Sequence, residues 1–394
     1  MIEITQAAEQ IRRHIVSRPI DEAGLAGAMP AKEAMLAKDR AILLNAIQWE
    51  RRSRLTGSTE DAMGYRLDAQ DEYPHTPSAE PHFNESVYCN GFDRRTGAGG
   101  WMRLGNRVNE GYAELSVCLY LPDGRIACQF RRPEIKTNAQ FGAGGLGYEV
   151  KQALRAVEMT YTGELLVLDD PNLLRDPEQM FKKARRVRGA VRLEQSAASP
   201  AHGGVPDSRD HEPMYGFNFS LGHFNQHTAV RGEIEVGDER FPIDGGGWRD
   251  HSWGPRLWQN IYFYRLFLAN LGQGRGFMLL KITNSEGRVR RLGVLLVDGA
   301  YEEVLDMDLM TEWTDRQDPD RVRISVRTAR RTALIEGQIV TLAPLRNRRE
   351  IDGETVVSRI AEGHTKFSWD GVTGYGMTEY IERFEGERLV GYPL

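Results

Sequence analysis

Gly245-Gly246-Gly247-Trp248-Arg249-Asp250-His251-Ser252-Trp253-Gly254-Pro255-Arg256 is the stretch on which the reading of this 394-residue chain turns. It gathers an acid, an imidazole, two guanidinium groups and two indoles. Successive side chains on a strand point to opposite faces, so Asp250 shares a face with Ser252, and His251 shares the other with Arg249 and Trp253. Adjacent Asp250 and His251 then cannot both face one cavity, and one of them is structural unless the backbone bends. The three glycines permit a tight or left-handed bend, and Gly254-Pro255 punctuates the far end. Polar groups among aromatic rings suit a short, strained element aimed into a cavity. The competing reading is a glycine-rich hairpin whose Arg and Asp pair while the Trp rings fill the core.

Outward from this stretch the period is two. In residues 112–121, Ala113, Leu115, Val117, Leu119 and Leu121 make one apolar face, and Tyr112, Glu114, Ser116, Cys118 and Tyr120 a mixed one. Pro122-Asp123-Gly124 turns the chain, and Ile126, Cys128 and Phe130 alternate on the return. Further strands are predicted over 230–236, 241–244, 261–271, 276–283, 288–297, 322–328, 333–342, 354–362 and 374–384. Evenly spaced strands with turns at hairpin spacing indicate antiparallel barrels or sandwiches. Residues 1–60 read instead as helical, with Leu36, Leu43, Leu44 and Ile47 on one face behind Pro30. Residues 196–213 are rich in Gly, Pro, Ser and Asp and read as a linker. The predicted organisation is a helical lead-in and loop over 1–80, a first β domain over 81–205 and a second over 206–394, with a ligand site at their junction.

Composition narrows the function. An apolar fraction of 40% and a net charge of −5 describe an ordinary soluble chain with no general attraction to nucleic acid or anionic membranes. The basic run 182–188 reads as a solvated surface strip. Three cysteines without a C-x-x-C pair imply neither a disulfide framework nor a zinc module, so a reducing cytoplasm is the expected setting. No signal peptide or spanning helix is predicted.

Several motifs fail on context. Gly142-Ala143-Gly144-Gly145-Leu146-Gly147 matches G-x-G-x-x-G, but Lys136-Thr137-Asn138-Ala139-Gln140 before it is no apolar strand, so a loop or bulge is expected. His223 and His227 have H-x-x-x-H spacing, but Gly222 and aromatic neighbours suggest a strand or loop, so no metal is expected and His223 is either a satisfied buried histidine or a lone pocket base or hydrogen bonder. Glu85, in Phe83-Asn84-Glu85-Ser86-Val87-Tyr88, and Glu110, in Asn109-Glu110-Gly111, are candidate acids or bases if buried. Their alternative is pairing with Arg103 or Arg107. Glu379, in Gly374-Tyr375-Gly376-Met377-Thr378-Glu379, is a similar candidate on the last strand.

Residues 247–256 resemble the G-x-R-D-H-S-W-G-x-R signature of the carotenoid hydratase / AttH-like, lipocalin-like superfamily. Asn84-Glu85-Ser86-Val87-Tyr88, Trp101-Met102-Arg103-Leu104-Gly105 and Asn109-Glu110-Gly111-Tyr112-Ala113-Glu114 are similar to the first half of bacterial two-domain members, and residues 374–380 to their last strand. The resemblance covers about residues 80–390. It implies two lipocalin-like β-barrel or sandwich domains with a pocket near their junction. Its members, among them carotenoid 1,2-hydratases, tocopherol cyclase and fungal Diels–Alderases, handle apolar small molecules without redox cofactors. Arg249, Asp250, His251, Trp253 and Arg256 match the shared signature, and Glu85, Asn109 and Glu110 the first-domain pattern.

The expectation is a cofactor-independent lyase acting on a hydrophobic terpenoid, steroid or aromatic molecule. It would add or remove water, or release a small carbonyl fragment by a retro-aldol step. Asp250 is the expected general acid/base with His251 as its partner or the second proton donor, Arg249 and Arg256 orient Asp250 or stabilise a developing oxyanion, and Glu85 and Glu110 are further acid/base candidates. Trp248, Trp253, Arg256, Trp258, Asn109, His223, Tyr88 and Glu379 are the expected substrate contacts. An isomerase or cyclase on the same substrates, or a non-catalytic binder, are the alternatives. No cofactor or metal is expected, and a homodimer is the assembly to test.

Overall fold

The computed structural model describes residues 64–208, 213–214, 220–256, 262–284, 287–351 and 354–393. The helices predicted over 1–60, and Trp258, lie outside the described residues. The described chain forms two antiparallel sheets of twelve and ten strands.

The first sheet closes on itself. Phe83–Asp93, Gly99–Arg107, Tyr112–Tyr120, Ile126–Arg131, Ala156–Leu168, Arg185–Ala197, Gly222–Val236 and Glu239–Pro255 pair in chain order, and the last returns to the first. Closure removes the exposed edges that an open sheet would leave. The polar stretch 196–213 does not separate the sheets, because the two strands after it complete this barrel; sheet membership changes between Pro255 and Phe263. The second sheet runs Ala300–Glu303, Val289–Val297, Arg275–Thr283, Phe263–Gly272, Val372–Glu385, Glu354–Trp369, Thr332–Ile351, Pro319–Arg327, Asp306–Trp313. Its outer strands are consecutive in the chain. Between them, the Val304 N–H donates to Gly293 O and that of Leu305 to Arg327 O, which draws the two edges together.

Alternation sorts the side chains into three apolar layers. Ala113, Leu115, Val117, Leu119 and Leu121 fill the first barrel with Met102, Val191 and Ile234. Cys118 and Tyr120, on the other face, pack with Trp101, Trp248, Leu266, Leu268 and Met377 between the sheets. Phe267, Phe277, Phe367, Trp369 and Tyr380 fill the second sheet.

Gly245, Gly246 and Gly247 make no bend. They sit inside the seventeen-residue strand Glu239–Pro255, and none has a positive φ. Crowding explains them: a Cβ on Gly246 would come within 2.2 Å of Asn270 O on the second sheet, and one on Gly247 within 2.3 Å of Asn90 O. Positive φ appears at Gly254 instead, at +123°. The 142–147 motif is a tight hairpin, with Gly142–Ala143 paired to Leu146–Gln152.

Candidate functional site

A cavity of about 540 Å³ opens between the two sheets, within the range of small-molecule sites. Regular alternation on Glu239–Pro255 gives it Trp248, Asp250 and Ser252. The adjoining strands present cross-strand neighbours: Tyr88 stands opposite Asp250 and in turn opposite Arg103, while Ser86 and His223 flank Ser252. From the second sheet come Tyr264, Leu266 and Leu268, with Glu379 opposite Leu266 and Glu362 opposite Glu379. Leu174, Met180 and the exposed Phe181 also line it, the last two from the helix Pro177–Lys183.

Polar contacts order the floor. The Arg256 Nη2–H donates to Ser252 Oγ at 2.6 Å, and Ser252 Oγ lies 3.0 Å from Ser86 Oγ. Asn90 Oδ1 accepts from the Trp248 backbone N–H at 2.8 Å. Tyr88 stacks on Trp101 at 6.0 Å and meets the edge of Trp248 at 5.9 Å. Trp248 is buried, and among the described residues its indole N–H has no hydrogen-bond partner.

Burial is the dominant field on these groups. It lifts the Asp250 carboxyl to about 7, against the pull of Arg256 and Arg103 and with a push from Glu379. Burial likewise lowers Arg256 to about 9, with Arg103 and Arg107 adding to it, and holds the His223 imidazole well below its ordinary value. The Tyr88 phenol is pushed up by burial and by Glu362, and stays protonated. Glu362 and Glu379 are both raised by burial, Glu362 also by its neighbour. The cavity thus holds a carboxyl poised to exchange a proton near neutrality, the condition under which an acid/base group is most effective.

The opposite face of the same strand serves the barrel interior. Arg249 donates to both oxygens of Glu72, at 2.6 and 2.8 Å, and to Gln226 and Tyr148. Glu72 lies in the short 3-10 turn Ala69–Glu72 and is 0% exposed. Burial works to raise its carboxyl, but the bonds and charge of Arg249 prevail and hold it low. His251 Nε2 lies 2.9 Å and His75 Nδ1 2.6 Å from Glu85 Oε1; the His75 backbone N–H and Asn138 also donate to Glu85. Burial opposes ionisation of Glu85, yet these bonds outweigh it and hold the carboxyl at about 2. Trp253 stacks on His75 at 4.0 Å. Glu72 and His75 therefore plug the barrel, fastened from within it by Arg249, by His251 through Glu85, and by Trp253, while most of residues 64–82 lies at its surface.

His75, Glu85 and His251 also bring three potential metal-ligand atoms within 4.8 Å of one another. Ligand atoms about 2.0–2.1 Å from one ion lie farther apart than 2.6 and 2.9 Å when arranged tetrahedrally. These are hydrogen-bond lengths, and both oxygens of Glu85 are already engaged. The cluster is a hydrogen-bonded anchor.

Asp250, Trp248, Tyr88, His223, Arg256 and Glu379 thus meet at the cavity. Arg249, His251, Glu85 and Trp253 do not: they occupy the barrel interior, and strand alternation points Arg249 away from Asp250. Glu110 lies outside the cavity, paired with Arg107 at 2.6 Å. Asn109 Nδ2–H groups donate to Ser78 O and Glu80 O, holding the end of the plug segment. Glu362, Tyr264, Leu266 and Ser86 were not singled out by the sequence. Glu362 has no motif around it, and only strand register places it beside Glu379.

The fold has solved counterparts. Kievitone hydratase from Nectria haematococca aligns with a TM-score of 0.51 and 9% identity over 83% of this chain and 96% of that one. CghA with Sch210972 aligns at 0.50 and 10% over 83% and 98%. At such identities the likeness concerns the fold. No curated protein sequence matches the chain. The sequence model of one family, described as a domain of unknown function, DUF7064, matches residues 68–383, from the plug to the last long strand of the second sheet. By that match the chain belongs to the DUF7064 family.

Proposed function

We propose that this protein is a cofactor-independent lyase that adds water to, or removes water or a small carbonyl fragment from, a hydrophobic small molecule, with Asp250 as the general acid/base. The observation that carries the reading is Asp250 itself, a carboxyl on an aromatic and aliphatic cavity wall with its pKa raised to about 7. Acid–base elimination requires proton donors and acceptors in a site that excludes bulk water, and it balances without redox equivalents. Trp248, Tyr88, Leu266 and Leu268 would bind the apolar body. Arg256, cationic below about 9, would stabilise an oxyanion as it develops. In this reading Arg249, His251 and Glu85 act on the fold rather than on the substrate. The same fold carries a protein named as a hydratase, which is compatible with such chemistry.

Purified wild type and Asp250→Asn would be incubated with polyenes, steroids and lignin-type aromatic dimers, and products followed by mass spectrometry. Wild type is expected to change substrate mass by one water or one small carbonyl fragment. Its kcat/KM should show a limb near pH 7, and Asp250→Asn should lose about 10²–10⁴-fold. A product of unchanged mass would favour an isomerase or cyclase. Ligand retained by both proteins without conversion would leave a binding protein.

A further inference from the structure

The second-sheet wall of the cavity holds an arrangement that Asp250 chemistry does not use. Glu362 and Glu379 are direct partners across the antiparallel strands Glu354–Trp369 and Val372–Glu385. Such partners have Cβ atoms about 4.5–5.5 Å apart, and like charges at these positions repel. Both side chains nevertheless face the cavity, and each carboxyl acts on the ionisation of the other. Two like charges held this close in a poorly solvated wall are relieved when one proton is kept between them.

The surroundings do not neutralise the pair by charge. Among the described residues, Glu379 is the charged group that acts on Glu362, which is only 7% exposed. Glu379 in turn is influenced by Tyr264 and Arg103. Arg103 is already engaged by Glu114 at 3.2 Å and Asn84 at 3.4 Å. The groups that face the pair from the first sheet are Asp250, Tyr88 and Arg103, with Arg256 and His223 lining the same cavity. Tyr88 senses Glu362, Glu379 and Asp250 together. The fold therefore places one acid station on each wall, with a phenol between them.

We propose that Glu362 and Glu379 share one proton at neutral pH and are the general acid that faces Asp250 across the cavity. The inference rests on the lyase reading for its chemistry. In the dehydration direction, the pair's proton passes to a substrate hydroxyl as the C–O bond breaks, and water leaves. The Asp250 carboxylate takes the proton from the adjacent carbon as the C=C bond forms. The pair then carries two negative charges and Asp250 one proton; solvent entering on product release returns a proton to the pair and removes that on Asp250. Hydration is the same sequence reversed. The substrate class that fits is a hydroxylated apolar molecule, or its alkene, with the hydroxyl-bearing carbon toward the second sheet.

Infrared spectroscopy of the full chain tests the shared proton without substrate. In Asp250→Asn protein at pH 8, the C=O stretch of a protonated, buried carboxyl is expected, shifting in D₂O. In Asp250→Asn/Glu362→Gln and again in Asp250→Asn/Glu379→Gln the band should shift in frequency and disappear at a lower pH, because the remaining carboxyl has lost the neighbour that favoured its proton; a band unchanged in frequency and pH dependence in both overturns the sharing. Absence of the band at pH 8 overturns the proposal. For the acid role, Glu362→Gln in an otherwise wild-type chain is expected to lower kcat about 10²–10⁴-fold with KM nearly unchanged, and to abolish the high-pH limb of the rate profile. Glu362→Asp should restore part of both. Retention of wild-type kcat and its pH profile by Glu362→Gln overturns the acid role. A band without turnover by wild type on any substrate would sink the lyase reading while leaving the shared proton in place.

Discussion

Asp250 and Arg249 are neighbours in sequence and inhabit different environments. Arg249 meets a buried carboxylate with matched geometry, whereas Asp250 is half-buried on the cavity wall beside groups that compensate it only in part. The difference has a sign that can be measured. The folded chain holds Asp250 at about 7, raised from 3.8. Between those values the native state keeps a proton that the unfolded chain has released, so stability falls as pH rises from about 4 to about 7 and is then level. Roughly three pKa units correspond to about 4 kcal/mol. Asp250→Asn removes this ionisation. Its stability relative to wild type is therefore expected to increase from pH 4.5 to pH 8 by up to that amount in urea denaturation. A difference independent of pH would show that the carboxyl is not perturbed.

The strand Glu239–Pro255 has two jobs because its period is two. Its cavity face carries Trp248, Asp250 and Ser252, and its inner face pins residues 64–82 through Arg249, His251 and Trp253. Breaking a buried pair by removing one partner costs about 3–5 kcal/mol, because the other charge is left uncompensated. Arg249→Met should destabilise the protein by that order and raise hydrogen exchange in residues 64–82. Adding Glu72→Gln should recover part of the loss, since neither charge then remains. If exchange in 64–82 is unchanged in Arg249→Met, the plug is held by something other than this pair.

At the scale of the molecule, the cavity exists because two sheets meet closely on either side of it. The Asn270 Nδ2–H donates to Thr228 O at 2.8 Å, and the Tyr120 Oη–H to Glu362 O at 3.0 Å, both across the junction. Tyr301 Oη lies 2.8 Å from His227 Nδ1 and 2.7 Å from Ser199 Oγ. Gly246 marks a close approach, because the backbone carbonyl of Asn270 faces it. Gly246→Ala must push the sheets apart or bend the strand, and overpacking of this kind costs about 1–3 kcal/mol. The expected result is a lowered urea midpoint together with weakened binding of any cavity ligand. An unchanged midpoint would show that the junction yields without cost.

The sequence by itself determined the β architecture and the division of faces around Asp250. Both are local: alternation needs only neighbouring residues, and turn chemistry needs only three or four. It also pointed to Trp248, Tyr88, His223, Arg256 and Glu379, which the cavity brings together. Tertiary structure decided the rest. Residues 196–213 have a linker's composition, yet barrel closure joins the strands on both sides of them, a pairing that no local pattern encodes. The glycines at 245–247 are permissive of bends in any sequence, and only the opposing backbone shows that they are there for space. Glu72 and His75 come from a segment that reads as loop, and their burial follows from the barrel end they fill. Glu362 and Glu379 lie in separate strands, and it is the register of those strands that places two carboxyls together in a cavity.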